Sequence, residues 1–223
     1  MHARVLEPEW LDELPPQDPR AVRSRADLRR VNWLMGNARL IARVLSPEIA
    51  DGSRVADLGS GDGYLMLRIA QRLRTPGVEL SLVDRAPVVS DATLAEFARL
   101  GWRVRVVARD AAAFLREGTL DIVVANLFLH HLDPEALRQV FRVCGERARL
   151  VAACEPRRSQ LALLGCRLMW LIGCNDVTRH DAVVSVRAGF TALELSRLWQ
   201  APWQLDERSA PPFSHLFVAK RAH

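Results

Sequence analysis

Five apolar runs separated by amphipathic stretches are what most limits the folds open to this chain. The runs fall at 54–58, 79–84, 103–108, 120–126 and 148–154, with helix-like segments between them at 62–74, 91–100, 111–117 and 134–147. Around 81–83 and 122–125 the pattern does not alternate, as expected for a strand covered on both faces. Strand and helix in repeated alternation make a parallel, doubly wound α/β sheet. Two boundaries have a local mechanism. Ser90 and Asp133 are placed to cap the helices that follow, and Pro134 takes a first helical position, where its missing N–H costs nothing.

The flanks read differently. Residues 1–20 contain four prolines and no sustained periodicity, which predicts an arm. From Ser24 to about Leu45, apolar residues at three- and four-residue steps predict one helix, broken by Pro47 and Asp51-Gly52. The run SQLALLGCRLMWLIGC (159–174) is interrupted by Arg167 and is short for a membrane span, so it predicts a helix covering the site and no stable membrane insertion. A helix is predicted over 189–199, and PWQLDERSAPPFSHLFVAKR predicts an antiparallel hairpin closing the sheet. The division is an arm and lid helix over 1–50 and one domain over 51–223, with a substrate-covering insertion at about 157–188.

Charge and cysteine usage exclude several classes. The net charge is +5, with Lys220 as the single lysine, and acids interleave with the arginines so that no dense basic run marks a nucleic-acid partner. Cys144, Cys154, Cys166 and Cys174 form no Cys-x-x-Cys pair, which predicts reduced core thiols and no metal site. MHARVLEPEWLDELPP carries acids where a secretory signal needs an apolar core, so a cytoplasmic location is expected.

The stretch VADLGSGDGYLMLR (55–68) places Gly59, Gly61 and Gly63 directly after a buried strand. Ligands of open parallel sheets bind beyond the carboxyl ends of the strands, and a turn without Cβ atoms lets the main chain approach one closely. A dinucleotide fingerprint wants glycine at position 64, where this chain has Tyr64, and no Gly-Lys-[Ser/Thr] phosphate loop is present. A nucleoside-like ligand remains.

Asp57-Leu-Gly-Ser-Gly-Asp-Gly63 resembles the first motif of class I S-adenosylmethionine-dependent methyltransferases, and the likeness extends over roughly 30–220. It implies a Rossmann-like, seven-stranded, mostly parallel sheet with an antiparallel last strand, helices on both faces and an N-terminal helical lid. It also implies S-adenosyl-L-methionine as cofactor. Asp57, Gly59, Ser60, Gly61 and Gly63 would shape the cofactor turn. Asp84, with Arg85 beside it, matches the acid that holds the ribose hydroxyls. Asp110, with Ala111, matches the acid at the adenine amino group, and Asn126 and Leu127 stand where the family contacts the methionine moiety.

A phenol, pKa about 10, needs help losing its proton at neutral pH, and histidine is suited to take it. LFLHHLDPEAL places His130 and His131 just beyond the fourth strand, and the segment resembles the Leu-His-His stretch of small-molecule methyltransferases. His130 aligns loosely with the catalytic histidine of plant-type O-methyltransferases. Trp33, Met35, Arg179 and His180 are candidate acceptor-binding residues. The Asn/Asp-Pro-Pro-aromatic motif of amine methylation is absent. The reading is O-methylation of a small apolar or aromatic acceptor of secondary metabolism. The alternatives are C-methylation of a quinone- or enol-like ring and a non-methylating isomerisation or cyclisation.

Overall fold

The computed structural model describes residues 3–222, so Met1 and His2 of the expected arm and the terminal His223 lie outside the described residues. Seven strands form one sheet: β1 (Arg54–Leu58), β2 (Glu79–Asp84), β3 (Arg103–Ala108), β4 (Ile122–Asn126), β5 (Leu150–Pro156), β6 (Gln204–Ala210) and β7 (Ser214–Lys220). Their order is β3-β2-β1-β4-β5-β7-β6. The first five are parallel, and β7 runs antiparallel to both β5 and β6. Strand order reverses between β1 and β4, which fixes the cleft at the carboxyl ends of those strands.

Nine helices surround the sheet among the described residues: α1 (Trp10–Glu13), α2 (Pro19–Met35), α3 (Asn37–Leu45), α4 (Tyr64–Leu73), α5 (Asp91–Arg99), α6 (Ala111–Leu115), α7 (Pro134–Arg147), α8 (Gln160–Leu168) and α9 (Asp176–Ala188). The two-residue period of each strand divides the core. Val55, Leu80, Leu82, Ile122 and Val124 pack with α3, α4 and α5, whereas Ala56, Leu58, Val123, Ala125 and Val151 pack with α6 and α7. The same alternation aims Asn126 toward α3 and Glu155 toward α7, which matters below. Asp133 caps α7 by accepting the Glu135 and Ala136 N–H groups at 2.9 and 2.8 Å, a contact of about 1 kcal/mol. No described helix is long and apolar enough to cross a membrane.

Two expectations are corrected. The single helix from Ser24 to Leu45 is two, because Gly36 adopts φ +71° and ends α2 in a left-handed cap before α3 starts in a new direction. The helix expected at 189–199 does not form; the regular helix here is α9, capped by Asn175, and only a 3₁₀ turn follows at Ser196–Leu198. The chain at 189–190 is pressed against the end of β5. The Phe190 N–H donates to the Pro156 carbonyl at 2.9 Å, a Cβ on Gly189 would lie 2.2 Å from that carbonyl oxygen, and Ala192 at φ +52° interrupts any helix beyond.

Candidate active site

The glycine turn folds back on β2. Gly59 and Ser60 donate their N–H groups to the Val83 carbonyl at 2.9 and 3.1 Å, and Gly61 donates to the Asp84 carboxylate at 2.9 Å. All three glycines have φ between +53° and +71°, a conformation that other residues adopt only with strain. A Cβ on Gly59 would lie 2.5 Å from the Phe128 ring, while one on Gly61 would meet nothing within 4 Å, so the open side of the turn is at Gly61. Asp84 also accepts the Ala86 N–H at 2.8 Å, which leaves each carboxylate oxygen a further lone pair. Asp57 is 3% exposed. Burial, reinforced by the charges of Asp84 and Asp62, pushes its carboxyl well above the usual range. The Ser60 hydroxyl is buried with no hydrogen-bond partner among the described residues. Arg85 is exposed at the rim. Asp110 caps α6 through the Ala113 N–H at 3.0 Å and is exposed, with Ala111 buried behind it. From α2, Arg29 pairs with Asp62 at 2.7 Å and lies over the Tyr64 ring at 4.7 Å, which draws the lid helix onto the turn.

At the end of β4, Asn126 is tied to the lid. Its carbonyl oxygen accepts from the Asn37 amide at 2.9 Å and its own amide donates to Asn32 at 3.1 Å. The Ser214 hydroxyl donates to Asn37 at 2.7 Å. Leu127 then takes φ +51°, at a cost of roughly 1–2 kcal/mol for a residue with a Cβ. That left-handed step drops Phe128 onto Gly59 and turns three successive N–H groups inward. Glu155, fully buried, accepts all of them: Phe128 at 3.1 Å, Leu129 at 2.9 Å and His130 at 3.3 Å. It also lies 2.7 Å from Nδ1 of the His130 ring.

The other ring nitrogen of His130 is 3.4 Å from the carboxylate of Glu9, on the arm. Burial by itself would lower the His130 pKa, but hydrogen bonds to Glu155 and Glu9 and their charges outweigh it and raise it to about 9. Burial also works to raise Glu9, yet the His130 hydrogen bond, the charges of His131 and His130 and the Ser185 hydroxyl hold it below the usual range. His131 stacks on His130 with centroids 4.2 Å apart and faces Asp12 at 3.9 Å. Burial and the neighbouring His130 charge keep its pKa below the ordinary histidine value. Glu9, His130 and His131 bring three donor atoms of metal-binding type together; here the first two face one another.

The arm is strapped down at both ends. The Arg4 guanidinium donates to the Ala188, His130 and Leu132 carbonyls at 2.7, 3.0 and 3.2 Å, and the Trp10 and Leu11 N–H groups reach the Asp181 carboxylate at 2.9 and 3.0 Å. A cavity of about 300 Å³ opens between arm and sheet, lined by Glu9, Asp12, Arg85, His130, His131 and Val184 among others. Of the expected acceptor-binding residues, His180 is stacked under Trp10 at 3.8 Å. Trp33 is 69% exposed on α2; Arg179 is exposed and Met35 half-buried. The structure thus gathers His130, His131 and Arg85 around one cavity and leaves Trp33 and Arg179 facing solvent. Sequence reasoning missed Glu155 and Glu9. Glu155 carried a signal, since it stands at the carboxyl edge of a buried strand as Asp84 and Asn126 do; Glu9 carried none.

Residues 55–149 match a family model described as a methyltransferase domain. The indolepyruvate C-methyltransferase of Streptomyces griseus is 30% identical over 112 residues, 48% of this chain and 34% of that protein. A protein of Nostoc punctiforme assigned as an O-methyltransferase superposes with a TM-score of 0.63 at 19% identity, covering 92% of this chain and 62% of that one. The plantazolicin methyltransferase BpumL, solved with SAH, superposes with a TM-score of 0.66 at 11% identity and 92% coverage of both chains. The chain therefore spans about a third of the curated relative and under two thirds of the Nostoc protein, and at these identities the solved structures speak for the fold. Residues 55–149 thus match a methyltransferase domain, and the seven-stranded sheet that carries them shares its fold with solved methyltransferases.

Proposed function

We propose that the chain methylates a small, largely apolar acceptor of secondary metabolism at a phenolic or enolic hydroxyl, with S-adenosyl-L-methionine as donor and His130 as the group that takes the acceptor's proton. The observation that carries this reading is the Glu155 carboxylate holding His130 by ring and backbone at the exit of β4, two residues beyond Phe128, which packs on the glycine turn. The cofactor fits the residues present: open space over Gly61, an orphaned Ser60 hydroxyl, and carboxylates at Asp84 and Asp110 with lone pairs to spare for ribose and adenine. When bound, it supplies a methyl group on a positively charged sulfur, open to direct displacement by a lone pair.

The protein's own part is positioning and proton transfer. Glu155 keeps the Nδ1 proton of His130 and fixes the tautomer, so that Nε2 is the atom able to accept a proton. Glu9 occupies that nitrogen in the strapped state, and an acceptor hydroxyl must take its place. His131 and Arg85 line the cavity the acceptor enters. Proton removal from an enol leaves charge on carbon as well as oxygen. The likeness to a C-methyltransferase favours C-methylation as the second reading, because the same histidine serves both outcomes and the acceptor's orientation selects the atom.

Calorimetry with S-adenosyl-L-methionine, then mass spectrometry of a panel of phenols, polyketides and 2-oxo acids, is expected to give binding and a product heavier by one methylene. NMR of that product separates oxygen from carbon. Consumption without a mass change means isomerisation or cyclisation; retention of a nicotinamide or flavin in place of the sulfonium compound overturns the assignment. The pH profile adds a second check. Since deprotonated His130 is required, kcat/KM, which reports the free enzyme, is expected to rise with pH toward about 9. Glu9→Gln removes one of the two stabilising carboxylates and is expected to move that limb down by about 1–3 units. An unmoved limb dissociates Glu9 from the proton.

A further inference from the structure

Three side chains meet at one point where the arm crosses the sheet. The donor atoms of Glu9, His130 and His131 all lie within 4.8 Å of one another. His130 and His131 are consecutive in the 3₁₀ turn Leu129–His131, and Glu9 comes from the arm. Two imidazole nitrogens and one carboxylate oxygen are a donor set suited to zinc and its late first-row neighbours; magnesium and calcium take oxygen ligands. None of the four cysteines takes part, so their spacing has no bearing on these donors.

The set is supported from behind. Glu155 lies 2.7 Å from Nδ1 of His130, so the ring is held with Nε2 turned to Glu9, 3.4 Å away. A carboxylate on the far nitrogen is what orients a metal-ligating imidazole and raises its basicity. Of the charged groups around the point, the carboxylates of Glu9, Asp12 and Glu155 outnumber the guanidiniums of Arg4 and Arg85. Zinc holds nitrogen and oxygen ligands at about 2.0–2.2 Å, which puts tetrahedral ligands about 3.3 Å apart. The widest gap therefore has at most about 1.5 Å to close. His130 is fixed, but the Glu9 side chain and the exposed His131 ring can turn inward. The cavity beside them leaves the fourth position to water.

We propose that Glu9, His130 and His131 bind a zinc-type divalent ion, and that the ion clamps the arm onto the sheet. The proton between Glu9 and Nε2 passes to solvent as the ion enters. Arg4 and Trp10 already anchor the arm on either side of Glu9, so a bond at Glu9 removes the freedom left between them. One consequence rests on the methylation reading above: an ion on Nε2 denies that nitrogen to the acceptor's proton, so zinc regulates the site by shutting it.

Equilibrium dialysis of the full chain against micromolar zinc chloride, with the metal measured by atomic emission, tests the site without any acceptor. One Zn²⁺ per chain is expected, with no retention of Mg²⁺ and with the visible absorption of a four-coordinate ion when Co²⁺ takes its place. His131→Ala removes an exposed ligand, so thermal unfolding of the metal-free protein should be nearly unchanged. It is expected to weaken zinc by no less than the about 10–100-fold that loss of an outer-shell partner costs, and Glu9→Gln by a similar factor. Hydrogen exchange over residues 3–13 is expected to slow when zinc binds, and to stay as it was in Glu9→Gln. No retained zinc, undiminished affinity in both variants, or Mg²⁺ held as tightly as Zn²⁺ overturns the site; unslowed exchange in the wild-type arm overturns the clamp. Turnover keeps the two readings apart. Zinc that binds and slows the arm of a protein that methylates nothing supports the site and overturns the methylation reading, whereas methylation at full rate with zinc bound overturns the shutting.

Discussion

His130→Ala is expected to lower turnover by about 10²–10⁴ while leaving affinity for the cofactor nearly unchanged. On the proposed role of His130, the size follows from losing the general base that an acceptor hydroxyl of pKa about 10 would need at neutral pH. Alanine, however, also leaves the buried Glu155 carboxylate short of its ring partner, though three backbone N–H groups remain on it. His130→Gln separates the two effects, because its amide can still donate to Glu155 yet takes no proton. Both variants are expected to fall together. A glutamine variant that turns over at the wild-type rate removes His130 from the mechanism, whereas one rescued only in stability shows that the packing and the chemistry are separable.

Gly59→Ala is expected to weaken S-adenosylhomocysteine binding by about tenfold or more, equivalent to roughly 1.4 kcal/mol. Two effects combine. The left-handed backbone at φ +71° costs a Cβ-bearing residue roughly 1–2 kcal/mol, and the new methyl would lie 2.5 Å from the Phe128 ring. Phe128 cannot yield cheaply, since its N–H is held by Glu155 and the next two residues are held by the same carboxylate. The substitution is therefore expected to reach both the cofactor turn and the histidine. Gly52→Ala is the matched control: φ is +76° but nothing lies within 4 Å of its Cβ. It should cost a comparable strain in thermal unfolding and leave the affinity alone. Equal losses of affinity in the two variants would mean that strain, not the contact with Phe128, governs the turn.

The central strands were legible because buried parallel strands leave a plain trace: β1, β2 and β4 are mostly apolar runs bounded by breakers or polar groups. The corner at Gly36 was not. Leu34, Met35, Ala38 and Ile41 keep a helical period straight through it, and periodicity cannot register a change of axis. The helix misplaced at 189–199 failed for a related reason. Leu195 and Trp199 are indeed buried, but against a segment whose path is set by Phe190 meeting the end of β5, a contact no local pattern records. Within the candidate site, Asp84, Asn126 and His130 were named by resemblance to family motifs, and all three also obey one rule, that ligands of such a fold gather at the carboxyl edge of the sheet. The rule also covers Glu155, whose side chain is aimed by strand alternation. Glu9 acts across 121 positions of chain from a proline-rich arm, and nothing in its neighbourhood distinguishes it from Glu7 or Glu13.

The two flanks of the cleft are fastened by different kinds of group. On the lid side, Asn32, Asn37, Asn126 and Ser214 meet as amides and a hydroxyl, none of which changes ionisation in the physiological range. On the arm side, Arg4 and Asp181 hold the two ends, and the fastening between them runs through Glu9, His130 and Glu155 and depends on a proton. Alkali therefore loosens the arm at its middle and leaves its two ends and the opposite wall in place: of the cleft's several latches, the one beside the histidine answers to acidity.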